Sequence, residues 1–209
     1  MLFQGNVLSA IPATRNSAGA PNAMQLWLGE LGVSEVLPRY AALAQSAQIF
    51  TARSALRATS LVGTALVGLQ LWNRTTNKVL ALLKTGGNIV VGSAATQVGV
   101  ALAFGTQAAA TPPTAQTAAD SVINNYIGGS APGALAIAAG TFANAPVAQI
   151  DLLKNDAGIA TTGEDPGYLV DLEGSIIIPP GFYAAVVALG GAGQAASNNH
   201  WLQWAELPL

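Results

Sequence analysis

Ala65-Leu66-Val67-Gly68-Leu69-Gln70-Leu71-Trp72-Asn73 is followed by Arg74-Thr75-Thr76-Asn77 and then by Lys78-Val79-Leu80-Ala81-Leu82-Leu83-Lys84. Two apolar runs flank a short polar turn, the pattern of a β-hairpin. Asn at both ends of the turn fits, because its side chain bonds the local backbone and tolerates left-handed geometry. The stretch makes the chain a β protein, and its neighbours read the same way.

Downstream, Thr85-Gly86-Gly87-Asn88 reads as a further turn. Ile89-Val90-Val91 and Thr96 to Phe104 read as strands, with Val98, Val100, Leu102 and Phe104 alternating onto one face. Pro146 to Leu153, Leu169 to Leu172, Ser175 to Ile178, Phe182 to Leu189 and Trp201 to Leu207 continue the series. Asn155-Asp156-Ala157-Gly158, Gly163 to Gly167 and Pro179-Pro180-Gly181 serve as turns. Upstream, Met24 to Leu31 and Ala47 to Ala52 read as strands, and residues 34–45 hold a helical turn interrupted by Pro38. Val122, Ile123 and Tyr126 at helical spacing suggest a short helix over Ala118 to Ile127, within a long Ala/Thr/Gly/Pro-rich stretch, residues 105–146. The sum is an all-β antiparallel sandwich or barrel of about 9–11 short strands, with no 20–50-residue repeat. Residues 1–22, rich in small polar residues with Pro12 and Pro21, read as an extended N-terminal arm, and residues 23–209 as a single domain.

Charge narrows the function classes. Asp, Glu, Lys and Arg make up 9% of the 209 residues, against roughly 25% in an average soluble domain. The eight basic residues are scattered, which argues against nucleic acid as a partner. No charged residue lies between Lys84 and Asp120, long enough to span a membrane. Its repeated Gly, Gln and Pro112-Pro113 would break a spanning helix, and at 6% aromatic content the girdles of a membrane barrel are lacking. Residues 1–19 put no basic residue before their apolar ones and read poorly as a signal peptide. The missing charge is expected to mark surface buried between subunits.

No reactive constellation emerges, and no catalytic, cofactor-binding or metal residue is assigned. His200 is the single histidine, no G-x-S-x-G elbow exists, and the bland reading places it at the start of the last strand without a reactive role. Without Cys, and with one His, a zinc site is nearly excluded. Asp151, Asp156, Glu164, Asp165, Asp171 and Glu173 gather late in the chain but match no calcium loop and read as solvated charge. Gly191-Ala192-Gly193-Gln194-Ala195-Ala196 loosely follows a dinucleotide fingerprint but lies between two strands rather than in a βαβ unit. Trp27, Trp72, Trp201 and Trp204 all fall in strands. Alternation sets Trp201 and Trp204 on opposite faces, one for the core and one for a subunit or sheet-edge contact.

The run Leu69-Gln70-Leu71-Trp72-Asn73 with its following turn and apolar strand resembles structural proteins of tailed bacteriophages. So does Ile178-Pro179-Pro180-Gly181-Phe182-Tyr183 with its apolar strand, Gly/Ala/Ser loop and Trp201-x-x-Trp204-x-Glu206-x-Pro208. The resemblance covers residues about 60 to 209. It implies a trimeric, tumour-necrosis-factor-like jelly roll: a non-enzymatic capsid decoration or cement protein on the virion exterior. Its expected partners are copies of itself and the major capsid protein or other virion proteins, with no cofactor, nucleic acid or membrane. The alternative is a receptor- or carbohydrate-binding domain of a phage tail or head fibre.

Overall fold

A computed structural model describes residues 25–27, 30–32, 40–55, 57–90, 99–154, 167–189 and 197–209. The chain divides into two compact units, residues 1–46 and 47–209. In the first, β1 (Gln25–Trp27) pairs antiparallel with β2 (Glu30–Gly32), and α1 (Ala41–Gln45) forms a single helical turn. Met24 to Leu31 is thus not one strand, since Trp27 pairs with Glu30. The expected arm, residues 1–22, lies outside the described residues, as does Pro38.

The second unit holds β3 (Ile49–Arg53), β4 (Arg57–Ala58), β5 (Ala65–Trp72), β6 (Lys78–Val90), β7 (Gly99–Thr106), β8 (Thr114–Ala118) and β9 (Ser121–Asn124). These are followed by β10 (Leu135–Thr141), β11 (Val147–Lys154), β12 (Gly167–Ile178), β13 (Phe182–Ala188) and β14 (Ser197–Pro208). They form two antiparallel sheets. One runs β11-β7-β13-β5-β10-β8 and the other β12-β6-β14-β3-β9, with β4 also on β14. Eight strands carry the plan. Numbered along the chain as β3, β5, β6, β7, β11, β12, β13 and β14, they lie in the orders 2-7-4-5 and 1-8-3-6. That is the double Greek-key order of a jelly roll. The remaining strands, mostly short, raise the number among the described residues to fourteen rather than 9–11.

Three local readings change. β5 and β6 do not pair as a hairpin; they belong to opposite sheets, and the turn between them crosses the sandwich. Thr85 to Asn88 is no turn but the interior of the 13-residue β6. Residues 118–127 form no helix: β9 extends the second sheet by pairing with β3, and Asn124 holds the following turn by donating to the carbonyls of Ala47 and Ser130 at 3.1 and 3.0 Å. Edge pairing overrides the helical spacing there, as tertiary context commonly does. Leu169–Leu172 and Ser175–Ile178 join into β12 through a bulge. Asp171 pairs with Lys84 and the next match is Ile176 with Leu82; Glu173 and Gly174 lie at φ 52° and 75°.

The side chain that makes the crossing is Asn73, fully buried at the end of β5. Its amide nitrogen donates to the carbonyls of Lys78 (2.9 Å) and Ile178 (3.0 Å), and its oxygen accepts from the amide and hydroxyl of Thr75 (3.1 and 2.6 Å). Its own peptide N–H donates to Phe182 and its carbonyl accepts from Gly181, both at 3.0 Å. Gly181, at φ 78°, closes the Pro179-Pro180-Gly181 turn as the sequence suggests. One residue therefore joins the ends of β5, β6, β12 and β13.

Between the sheets, Leu69, Leu71, Leu80, Leu82, Leu102, Val186 and Leu202 pack around Trp204, which stacks on Phe50 at 5.7 Å. Val100 and Leu102 face this core with Phe104 against it; Val98 lies outside the described residues. Val187, Ala185, Ala101 and Ala103 point the other way on the first sheet, yet are buried in a second apolar layer with Leu66, Ile137, Phe142 and Tyr183. Part of the missing charge is thus buried within the chain, not between subunits. Glu206 clamps the loop before β10. Its carboxylate accepts from the Ala134 amide (2.8 Å) and pairs with Lys78 (2.9 Å). Burial pushes that carboxyl up, but the Ala134 amide, Lys78 and the Gly133 amide outweigh burial and hold it below its usual range.

Asn73→Ala takes the side-chain donor from the buried Ile178 carbonyl, leaves the Lys78 carbonyl to the Thr75 hydroxyl, and removes the acceptor of the Thr75 amide. With about 1–3 kcal/mol for a buried group left unpaired, it should lower stability by about that amount. Asn73→Asp, which keeps the shape but loses both donors, should do no better. Urea unfolding of the two variants against the parent measures both.

Candidate functional site

On β14, three successive residues point out, in and out: Asn199, His200 and Trp201. Leu202 and Trp204 face the core, so His200 shares their side and its neighbours face away. Trp201 and Trp204 therefore occupy opposite faces, as alternation requires.

The inner side holds a polar row. His200 pairs across the sheet with Gly87 of β6, and Gly87 with Tyr168 of β12. A side chain on Gly87 would meet the imidazole at 2.7 Å and the Asn199 carbonyl at 2.5 Å. Over that gap the Tyr168 hydroxyl and His200 Nδ1 lie 2.9 Å apart, and the Thr59 hydroxyl lies 2.9 Å from Nε2. One ring nitrogen donates and the other accepts. The Ser54 hydroxyl is bonded to the His200 backbone, not to its ring. His200 is 1% exposed, and burial lowers its pKa to about 4. Burial likewise raises the Tyr168 phenol well above its ordinary value. A proton-accepting base needs reach to a substrate and a pKa near working pH; this imidazole has neither. It sits inside β14, not at its start, as a satisfied core group.

The outer side holds a hollow. Trp201 pairs with Gly86, where an added Cβ would lie 2.7 Å from the indole, so the ring lies across β6. Arg53 of β3 pairs with Trp201, and Asn88 of β6 with Asn199. Arg53 Nε donates to Asn199 Oδ1 at 2.9 Å. Arg53, Asn88 and Asn199 line two adjoining cavities of about 590 and 280 Å³; Gly87 and Trp201 complete the smaller, and Ser54, Ala55, Asp120 and Ser121 the larger. Asp120 accepts from the Ala55 amide at the far wall.

The other residues weighed in the sequence do not converge. Asp171 faces outward on β12 and lies 3.4 Å from Lys84, three positions along the strand from the Tyr168 row and on the opposite face from His200. Asp171 also accepts from the Glu173 amide. Asp151 lies in the first sheet. Asp156, Glu164, Asp165 and Gly191 to Ala196 lie outside the described residues. Among the described residues, no three His, Cys, Asp or Glu gather as a metal site, and no helix is long and apolar enough to cross a membrane. Trp72 donates its indole N–H to the Gln107 carbonyl (3.0 Å) inside the first sheet's outer layer.

The buried imidazole makes stability depend on pH. Above pH 6.5 the ring is neutral in both folded and unfolded chains, and its full contribution is present. As pH falls from 6.5 towards 4, the unfolded chain takes up a proton that the folded chain refuses. Stability should drop on the order of 3 kcal/mol across that window and no further from this group below it. His200→Gln should lack this component, so its urea midpoint should converge on the parent's between pH 7 and 4. Parallel profiles would count against the assignment.

No protein-family model, no curated protein and no solved structure matches this chain.

Proposed function

We propose that this chain is a non-enzymatic virion structural protein: a jelly-roll homotrimer that decorates or cements the exterior of a tailed-phage capsid. The reading joins the resemblance stated above to the jelly-roll connectivity. The observation that carries it is the outward side of β12. This strand is an edge of the second sheet and twelve residues long, and it leaves Leu169 70% and Ile177 48% exposed. A long edge with exposed aliphatic side chains is a pairing hazard in a monomer. Covering it with another copy resolves the hazard, and each side chain so buried contributes roughly 1.5–3 kcal/mol. A closed three-fold arrangement satisfies every copy equally. The low charge of the chain favours such apolar contacts over rim ion pairs. The partners in this reading are copies of the chain and the major capsid protein, neither nucleic acid nor membrane.

Light scattering on the purified chain should give about 63 kDa, three times the 21.0 kDa of one copy. Leu169→Asp combined with Ile177→Asp should shift it to a folded monomer and abolish binding to capsids assembled without it. A parent chain that stays monomeric at about 100 μM, well above the dissociation constant of a standard-size interface, and that binds no capsid would overturn the proposal.

A further inference from the structure

The hollow beside Trp201 brings Arg53, Asn88 and Asn199 together on the outer side of the second sheet. We propose that it binds a carboxylate-bearing monosaccharide unit, of the uronic or sialic acid kind, at the end of a glycan. Four features select this chemistry.

First, Arg53 is oriented. Its Nε is engaged by Asn199, and its two terminal guanidinium nitrogens make no hydrogen bond to any described residue. A planar fork held at one corner presents two parallel donors, the geometry that takes a carboxylate in bidentate fashion. Second, Asn88 and Asn199 flank the guanidinium with side-chain amides. Each amide offers both donor and acceptor groups, the complement of adjacent sugar hydroxyls. Third, Trp201 lines the smaller cavity. Its indole is held flat on β6 by the missing side chain of Gly86, which leaves a rigid apolar plate for the C–H face of a pyranose ring. Fourth, Asp120 lies on the wall of the larger cavity. A carboxylate there repels a second anionic group but accepts from hydroxyls, so the site suits one negative charge among hydroxyls rather than a polyphosphate or nucleic-acid backbone. The larger cavity, about 590 Å³, falls in the range that holds small ligands.

All of these residues come from one copy of the chain, so occupancy and oligomeric state are separate measurements. They also lie apart from the buried row. Asn199 and Trp201 face outward while His200 between them faces the core, so ligand contact is made without disturbing the imidazole.

The test is titration of the full ¹⁵N-labelled chain, following the Trp201 indole N–H by NMR and assigning it with Trp201→Phe. The probes are galacturonic, glucuronic and N-acetylneuraminic acids, with galactose, glucose, acetate and inorganic phosphate as comparisons. At least one acidic sugar should shift the Trp201 signal with a dissociation constant in the range of about 1–10 mM, typical of a single small unit. The corresponding neutral sugar should bind about tenfold more weakly, reflecting loss of one charge-assisted contact. Arg53→Ala, which alters an exposed side chain and should leave the unfolding midpoint unchanged, should abolish the shift; Arg53→Lys should restore only part of it. The proposal is overturned if no acidic sugar moves the signal at about 20 mM, above the weakest affinity expected. It is equally overturned if neutral sugars, acetate or phosphate act as well as the acids, or if Arg53→Ala leaves the response intact.

Discussion

The sandwich is closed at one pole by a single buried amide. Asn73 ends β5 in the first sheet and donates to carbonyls at the start of β6 and the end of β12 in the second. Its peptide group then bonds the turn into β13. Two of the sheet-to-sheet crossings of the jelly roll are thus fixed by one side chain. An Asn is the natural choice, because its amide has two donors and an acceptor with two lone pairs, and all of them are used. A buried amide that is fully satisfied specifies a geometry; one left partly unpaired would cost more than an apolar residue. This is why the turn Arg74 to Asn77 resembles a hairpin turn while doing a different job.

That distinction marks the limit of what the sequence conveys. Strand positions were legible from apolar runs and alternation, and so was the Pro179-Pro180-Gly181 turn. Which strands pair was not, since β5 and β6 are adjacent in sequence yet lie in different sheets. Glycine misled most. Gly86, Gly87 and Gly105 read as turn or breaker residues, but each sits inside a strand beneath a ring: Trp201, His200 and Tyr183 respectively. A glycine there is a seat for an aromatic on the neighbouring strand, a long-range fact that no local window contains. The hollow shared the same fate. Arg53 read as one scattered basic residue, Asn88 as a turn residue and Trp201 as a strand aromatic. Only the pairing of residue 53 with residue 201, and of 88 with 199, brings them together.

The missing charge now has two separable causes. The central strands of the first sheet are buried on both sides, so Ala101, Ala103, Ala185 and Val187 need no charge although they face away from the main core. The second sheet is apolar inside apart from the His200 row, and mixed outside, where the Lys84–Asp171 pair and the Thr51–Gln203 contact alternate with exposed aliphatics. Its outer face can therefore serve recognition in a way that the first sheet's buried layer cannot.

The place of β14 has a consequence for how the protein comes to be made. It is the last of the eight jelly-roll strands along the chain, yet it lies between β6 and β3 in the middle of its sheet. Until it emerges from the ribosome, β3 has no partner in the core of that sheet, and the Gly86 and Gly87 seats on β6 stand empty. Both Trp204 and the rings that fill those seats arrive on the same twelve residues. The nascent chain therefore holds an open apolar slot until these residues are made, exposed to neighbours and to chaperones. Insertion of one strand then completes both halves of the sheet, and the two glycines admit it in a single register.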